Sequence, residues 1–275
     1  MPGATVGREG PGQDPVAQFD HFTERLVASV SARDEVLGLV LLGSGAQRER
    51  LDEWSDHDFY LVVRDDVAEQ MRRDLSWLPD HERIVLAPRE TAHGLKVVYD
   101  DAHVLELAVA TLDEVAGFGT NHHRVVLDRG GVADAISRAV AQTPGPKEVD
   151  VDRALGLFLS LLLIGVGRAR RGERVAAGAH VRTYAVAELI DAWTAVVPPS
   201  GDAFVDHLDR KRRFEDAYPE VGAQLDAALA QHPENAARAL LDLAEEHLAG
   251  RVDTWPAAGV EALRARFGWT VRTPA

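Results

Sequence analysis

The chain has 275 residues, 46% of them apolar and 27% charged, a balance that suits a folded soluble protein of one large or two ordinary domains. It has no cysteine, which excludes disulfides, zinc–thiolate sites, iron–sulfur clusters and cysteine nucleophiles and fits a reducing, cytoplasmic setting. The formal net charge is −14, and residues 1–145 hold 14 basic against 25 acidic residues while 146–275 hold 16 against 19; such a surface disfavours nucleic acid and suits a cationic small molecule or carboxylate-bound metal ions.

Residues 1–14 are rich in Gly and Pro and lack a basic start followed by an apolar stretch, so they read as a disordered tail and not as a secretory signal. Val16–Ser31 carries Phe19, Phe22, Leu26, Val27 and Val30 at helical spacing. Val36–Leu42 is a short, wholly apolar run that predicts a buried strand ending in a turn at Gly43. Asp56–Val63 predicts a second strand, Val67–Leu78 a helix, and Glu82–Ala87, Leu95–Tyr99 and His103–Ala110 further strands, with Asp100-Asp101 as a hairpin turn between the last two.

Gln142–Glu148, with two prolines and a glycine, marks a boundary. Beyond it Val151–Arg171, Ala179–Val197, Val221–Ala230, Asn235–Leu248 and Val260–Phe267 have helical periodicity, and Pro198, Pro199, Pro219, Pro233 and Pro256 mark helix ends. Leu155–Val166 is the longest apolar run, but a membrane span needs about 20 such residues, so it predicts a buried core helix. The expected architecture is α+β: a catalytic α/β domain with a mixed sheet over 15–145, then an all-helical substrate-binding domain over 146–275.

The chemistry concentrates in Leu41–Val63. A buried strand that ends in Gly43-Ser44 gives a sharp turn whose free N–H groups and hydroxyl can hold a phosphate. After a gap of eleven residues, Asp56 and Asp58 open the next strand, on one face, with His57 on the other. Two carboxylates held together repel unless a cation joins them, and an all-oxygen donor set favours Mg²⁺ or Mn²⁺. Glu106 lies inside an apolar strand, where a charge is costly unless it is paired or bound to metal. The structural alternatives are two aspartates at an exposed strand end and an edge-strand glutamate facing solvent.

The order apolar-Gly43-Ser44, Asp56-x-Asp58-apolar, apolar-Glu106-apolar resembles the nucleotidyltransferase superfamily of the DNA polymerase β type. With the helical second half, the chain is similar to the aminoglycoside and lincosamide nucleotidyltransferases. It departs from their usual pattern at Gly45, where a larger residue such as arginine is frequent, and at His57, where an apolar residue or tyrosine is frequent.

The resemblance implies that Asp56 and Asp58 bind Mg²⁺ or Mn²⁺ and that Glu106 is a third ligand or the general base. It also implies that Gly43, Ser44, Arg48 and Lys211 contact the phosphates of ATP or another NTP. The implied reaction moves an NMP, with AMP from ATP as the leading case, to a hydroxyl of a small acceptor between the domains, such as an aminoglycoside, and releases pyrophosphate. A protein or RNA acceptor of the toxin–antitoxin type, a glycosyltransferase and an inactive nucleotide-binding protein are the competing readings. Lys211–Arg213 reads as a basic helix or as a solvated run beside Asp209 and Glu215, and Trp193 as core more than as a stacking platform.

Overall fold

The computed structural model of the protein describes residues 14–120, 122–143, 148–201, 205–206 and 209–269. The chain divides into two compact units, Met1–Pro144 and Gly145–Ala275. The expected disordered tail, apart from Asp14, and most of the boundary at Gln142–Glu148 lie outside the described residues.

In the first unit Asp14 caps helix α1 (Pro15–Ser31): its carboxylate accepts the Val16 N–H at 3.1 Å, and Pro15 occupies the first helical turn. The buried face of α1 is Phe19, Thr23, Leu26 and Val30. β1 (Val36–Leu42) follows, then a one-turn helix α2 (Gly43–Ala46), and β2 (His57–Val63). β3 (Ile84–Leu86), β4 (Gly94–Tyr99), β5 (Val104–Ala110) and β6 (His123–Asp128) complete a six-stranded sheet in the order β3-β4-β5-β2-β1-β6. β2 and β5 run parallel; every other neighbouring pair is antiparallel. The sheet is therefore mixed, as expected.

One apolar cluster, including Leu26, Leu39, Leu41, Phe59, Leu61, Trp77 and Leu105, joins α1 to the sheet. A second, including Val40, Val62, Ala110, Val115 and Ile136, joins the sheet to α4 (Leu112–Ala116) and α5 (Val132–Gln142). β1 contributes to both clusters, which is why its sequence is a continuous apolar run. Buried Arg72 fixes the end of β5, donating to the Val109 carbonyl at 2.8 Å and to Glu114 Oε2 at 2.6 Å.

Several boundaries differ from the sequence expectation. The helix expected over Val67–Leu78 is α3 (Ala68–Arg73). Asp74 then accepts the Ser76 N–H, and Trp77 is buried with its indole N–H on the Met71 carbonyl, so the later apolar residues belong to a folded-back loop. The strand expected over Glu82–Ala87 shrinks to β3. β6, α4 and α5 were not expected: β6 is half-buried at its four inner residues and exposed at both ends, and its apolar run is only Val125–Leu127.

The second unit is helical, as expected. α6 (Val151–Arg170) buries Leu155, Phe158, Leu159, Leu162 and Val166, while Leu163 and Ile164 on its other side are 42% and 45% exposed. No helix among the described residues is long and apolar enough to cross a membrane. α7 (Arg174–Gly178), a wide π-helical stretch (Ala179–Ala185) and α8 (Val186–Val196) follow one another without a break. α9 (Phe214–Ala217), α10 (Pro219–Leu229), α11 (Pro233–Leu248) and α12 (Ala257–Phe267) complete the unit. Pro219 and Pro233 start helices, where their missing N–H costs nothing. Trp193 is core, packed against Phe214, Tyr218 and His247.

Candidate functional site

β2 alternates as the sequence requires: His57, Phe59 and Leu61 are buried, while Asp58 and Tyr60 are half-buried. Asp56 lies one residue ahead of the strand. The parallel register sets Asp58 directly opposite Glu106 on β5. One carboxylate oxygen from each of Asp56, Asp58 and Glu106 falls within a set whose members lie within 4.8 Å of one another. All three donors are oxygen, so the set fits a hard divalent ion such as Mg²⁺ or Mn²⁺ and not a thiophilic one.

Gly43 closes on the same group. Its φ is +50°, and a β-carbon built there would lie 2.6 Å from Asp58 Oδ2. Only glycine meets both the left-handed backbone and this approach. Ser44 follows in the one-turn helix, half-buried.

Glu106 is not buried, contrary to the expectation of a charge sealed within an apolar strand. Its side chain is 43% exposed, because Val104, Glu106 and Ala108 share the half-buried face of β5 whereas Leu105, Leu107 and Val109 form the buried one. Glu106 is ion-paired instead. The antiparallel register sets Lys96 of β4 opposite it, and the Lys96 ammonium bonds Glu106 Oε1. That bond holds the lysine's pKa above its ordinary value. Lys96 Nζ also lies 3.6 Å from Glu90 Oε1. Sequence reasoning missed Lys96. A two-residue turn at Asp100-Asp101 would pair residue 96 with residue 105; Ala102, left-handed at φ +67°, joins the turn, and this extra residue sets Lys96 opposite Glu106.

On the other face His57 is buried and stacked on Phe19, ring centres 3.7 Å apart and planes 6° from parallel. Its Nε2 lies 3.2 Å from the Phe19 carbonyl and its Nδ1 2.9 Å from His103 Nε2. A carbonyl can only accept, so the His57 proton belongs on Nε2 and His103 donates to Nδ1. Burial, reinforced by His103, pushes the His57 pKa down to about 3, so the imidazole is neutral at pH 7. Gly45 packs on the same phenylalanine: a β-carbon there would sit 3.0 Å from Phe19 Cζ. A cleft of about 680 Å³ runs along α1, lined among others by Phe22, Trp54, Asp56, Tyr99 and His103. Trp54 is 85% exposed.

The expected phosphate cations are bound elsewhere in this structure. Arg48 forks onto Asp20 of α1, both bonds 2.6 Å, and this holds the Asp20 carboxyl below its usual range. Lys211 pairs with Asp209 at 2.7 Å in the second unit. The run Arg210–Arg213 is a turn and not the expected basic helix, and Arg213 takes the left-handed conformation before α9. Glu173 pairs with Arg168 and Arg171, Glu188 with Arg153, and Asp191 with Arg210.

No family model and no curated protein matches the chain. Among solved structures it is similar to an aminoglycoside 6-adenyltransferase from Bacillus subtilis, at 13% identity over 90% of each chain and a TM-score of 0.31. It is also similar to a nucleotidyltransferase-like protein from Exiguobacterium sibiricum, at 14% identity over 91% of this chain and 88% of that one, with a TM-score of 0.28. A third is the Bradyrhizobium diazoefficiens CD-NTase CdnG in complex with GTP, at 16% identity over 92% and 94% of the two chains and a TM-score of 0.28. At these scores the likenesses are loose.

Proposed function

We propose that the chain is a divalent-metal-dependent nucleotidyltransferase that moves an NMP from an NTP to a hydroxyl of a small acceptor. The observation that carries this reading is the convergence of Asp56, Asp58 and Glu106 beside Gly43. The sequence order of these four residues supports it independently.

Asp56 and Asp58 would hold Mg²⁺ or Mn²⁺, which neutralises the triphosphate and the charge that develops on the leaving pyrophosphate. Gly43, without a side chain, lets the turn close against the Asp58 carboxylate, and the Ser44 hydroxyl would donate to a phosphate oxygen. Glu106, on its half-exposed face, would take the proton of the acceptor hydroxyl as that oxygen bonds to the α-phosphorus and the bond to pyrophosphate breaks. Arg48 would add a cation by exchanging Asp20 for phosphate. The excess of acidic over basic residues in 1–145, 25 against 14, suits an amine-bearing acceptor such as an aminoglycoside.

The test is calorimetric titration of ATP, GTP and CTP, each with and without Mg²⁺, into the wild-type chain and the Asp56→Asn/Asp58→Asn variant. Nucleotide binding that requires Mg²⁺ and falls at least about tenfold in the variant is expected, from the loss of two charge-assisted ligands. Binding indifferent to metal and to the substitutions would sink the reading and leave a nucleotide-binding protein. Glu106→Gln then separates an enzyme from a binder. It should keep nucleotide binding and lose on the order of 10²-fold or more in transfer to a screened aminoglycoside panel, the contribution expected of a general base.

A further inference from the structure

The register of the sheet lines up three charged residues from three adjacent strands on one face: Lys96 on β4, Glu106 on β5 and Asp58 on β2. Asp56 completes the group at the end of β2. Three carboxylates in this space repel one another, and the sheet brings its own cation to one side of them.

We propose that Lys96 is a built-in counter-ion of the carboxylate cluster, competing with the divalent ion for Glu106 and passing to Glu90 when the ion takes that carboxylate. The inference rests on the metal reading of Asp56, Asp58 and Glu106 given above. Two features of the geometry support the exchange. Lys96 bonds Glu106 and already has a second acceptor, Glu90, 3.6 Å from its ammonium. Lys96, Glu106 and Glu90 are 39%, 43% and 55% exposed, so a flexible four-carbon stem in contact with water can swing between them at little desolvation cost. Lys96 acts through Glu106 and is a positioning residue, not a catalytic one.

A competing positive charge weakens binding of a cation, and its removal strengthens it. The experiment is titration of Mn²⁺ alone into the full chain, without nucleotide, followed by the electron paramagnetic resonance signal of the free ion at constant ionic strength. Lys96→Met keeps most of the stem and removes the charge, and should tighten Mn²⁺ binding about three- to tenfold, the effect of one screened charge a few ångströms from the ion. Lys96→Arg should stay near wild type. Arg89→Met, which removes an exposed cation paired with Glu69 in the same unit, controls for a general change of surface charge and should shift binding less than Lys96→Met.

A thermal melt adds a second readout: Lys96→Met should melt below wild type in chelator and gain more from saturating Mn²⁺. Mn²⁺ binding unchanged or weakened in folded Lys96→Met, or tightened equally in Arg89→Met, overturns the proposal and leaves the metal site standing. No Mn²⁺ binding by either wild type or Lys96→Met overturns the metal reading itself, and this proposal with it. Binding that appears only in Lys96→Met is the strongest support.

Discussion

Phe19 packs against both Gly45 and His57, the two positions that depart from the sequence pattern the chain resembles. A β-carbon at Gly45 would lie 3.0 Å from Phe19 Cζ, and His57 stacks on the same ring. This packing ties α1 to α2 and β2. It also places a neutral buried imidazole in the wall behind the carboxylates. Folded His57 titrates near 3, whereas an unperturbed imidazole titrates near 6.5. Between these values the unfolded chain holds a proton that the folded chain does not. Stability therefore falls as pH drops through this window, at up to about 1.4 kcal/mol per pH unit. His103, lowered by the same burial, acts in the same direction. The expected outcome is a melting temperature that falls between pH 7.5 and pH 5 in wild type and falls less steeply in His57→Phe, a variant that keeps the stack on Phe19. Parallel slopes would mean that other groups govern acid sensitivity.

Among the elements, α6 holds two glycines in opposite settings, Gly165 buried and Gly156 exposed. At Gly165 an added β-carbon would lie 2.6 Å from Val181 Cγ2 and 3.2 Å from His180 Cβ, both in the π-helical stretch that crosses it. At Gly156, on an exposed part of the same helix, nothing lies within 4 Å. Helix propensity favours replacing either glycine, by up to about 1 kcal/mol. Overpacking opposes it only at Gly165, and there three added carbons exceed the propensity gain. Gly156→Ala should raise stability by about 0.5–1 kcal/mol, and Gly165→Val should lower it by about 2 kcal/mol, both measured by urea unfolding. A neutral Gly165→Val would show that the π-helical stretch can move away from α6. Periodicity made α6, α8, α10, α11 and α12 legible, and the short α7 and α9 were not expected. The wide turn at 179–185 was not, because it arises from a contact between segments and not from local preference.

For the molecule as a whole, each unit has its own apolar core, and Asp56, Asp58, Glu106, Gly43 and Lys96 all belong to the first. Residues 1–144 prepared alone should therefore bind Mn²⁺ as the full chain does, within about twofold, as expected when distant parts act independently. Circular dichroism establishes that the fragment is folded, and the same free-ion titration reads its affinity. A folded fragment that binds no Mn²⁺ would place an essential ligand in the second unit. The charge distribution agrees with this division, since the half that holds the carboxylates is the more acidic one.

By itself the sequence determined what depends on neighbours in the chain. The apolar run of β1, the alternation that separates Asp58 from His57, the hairpin at Asp100-Asp101 and the helical second half all follow from local periodicity and turn chemistry. Only the tertiary structure decided which strands lie side by side. Parallel pairing of β2 with β5 sets Asp58 against Glu106, and antiparallel pairing of β4 with β5 sets Lys96 on the same glutamate. The packing of α1 turns Arg48 to Asp20 and closes Phe19 over His57. Alternation tells which face a side chain takes. Register, set by contacts between residues distant in the chain, tells what it meets there.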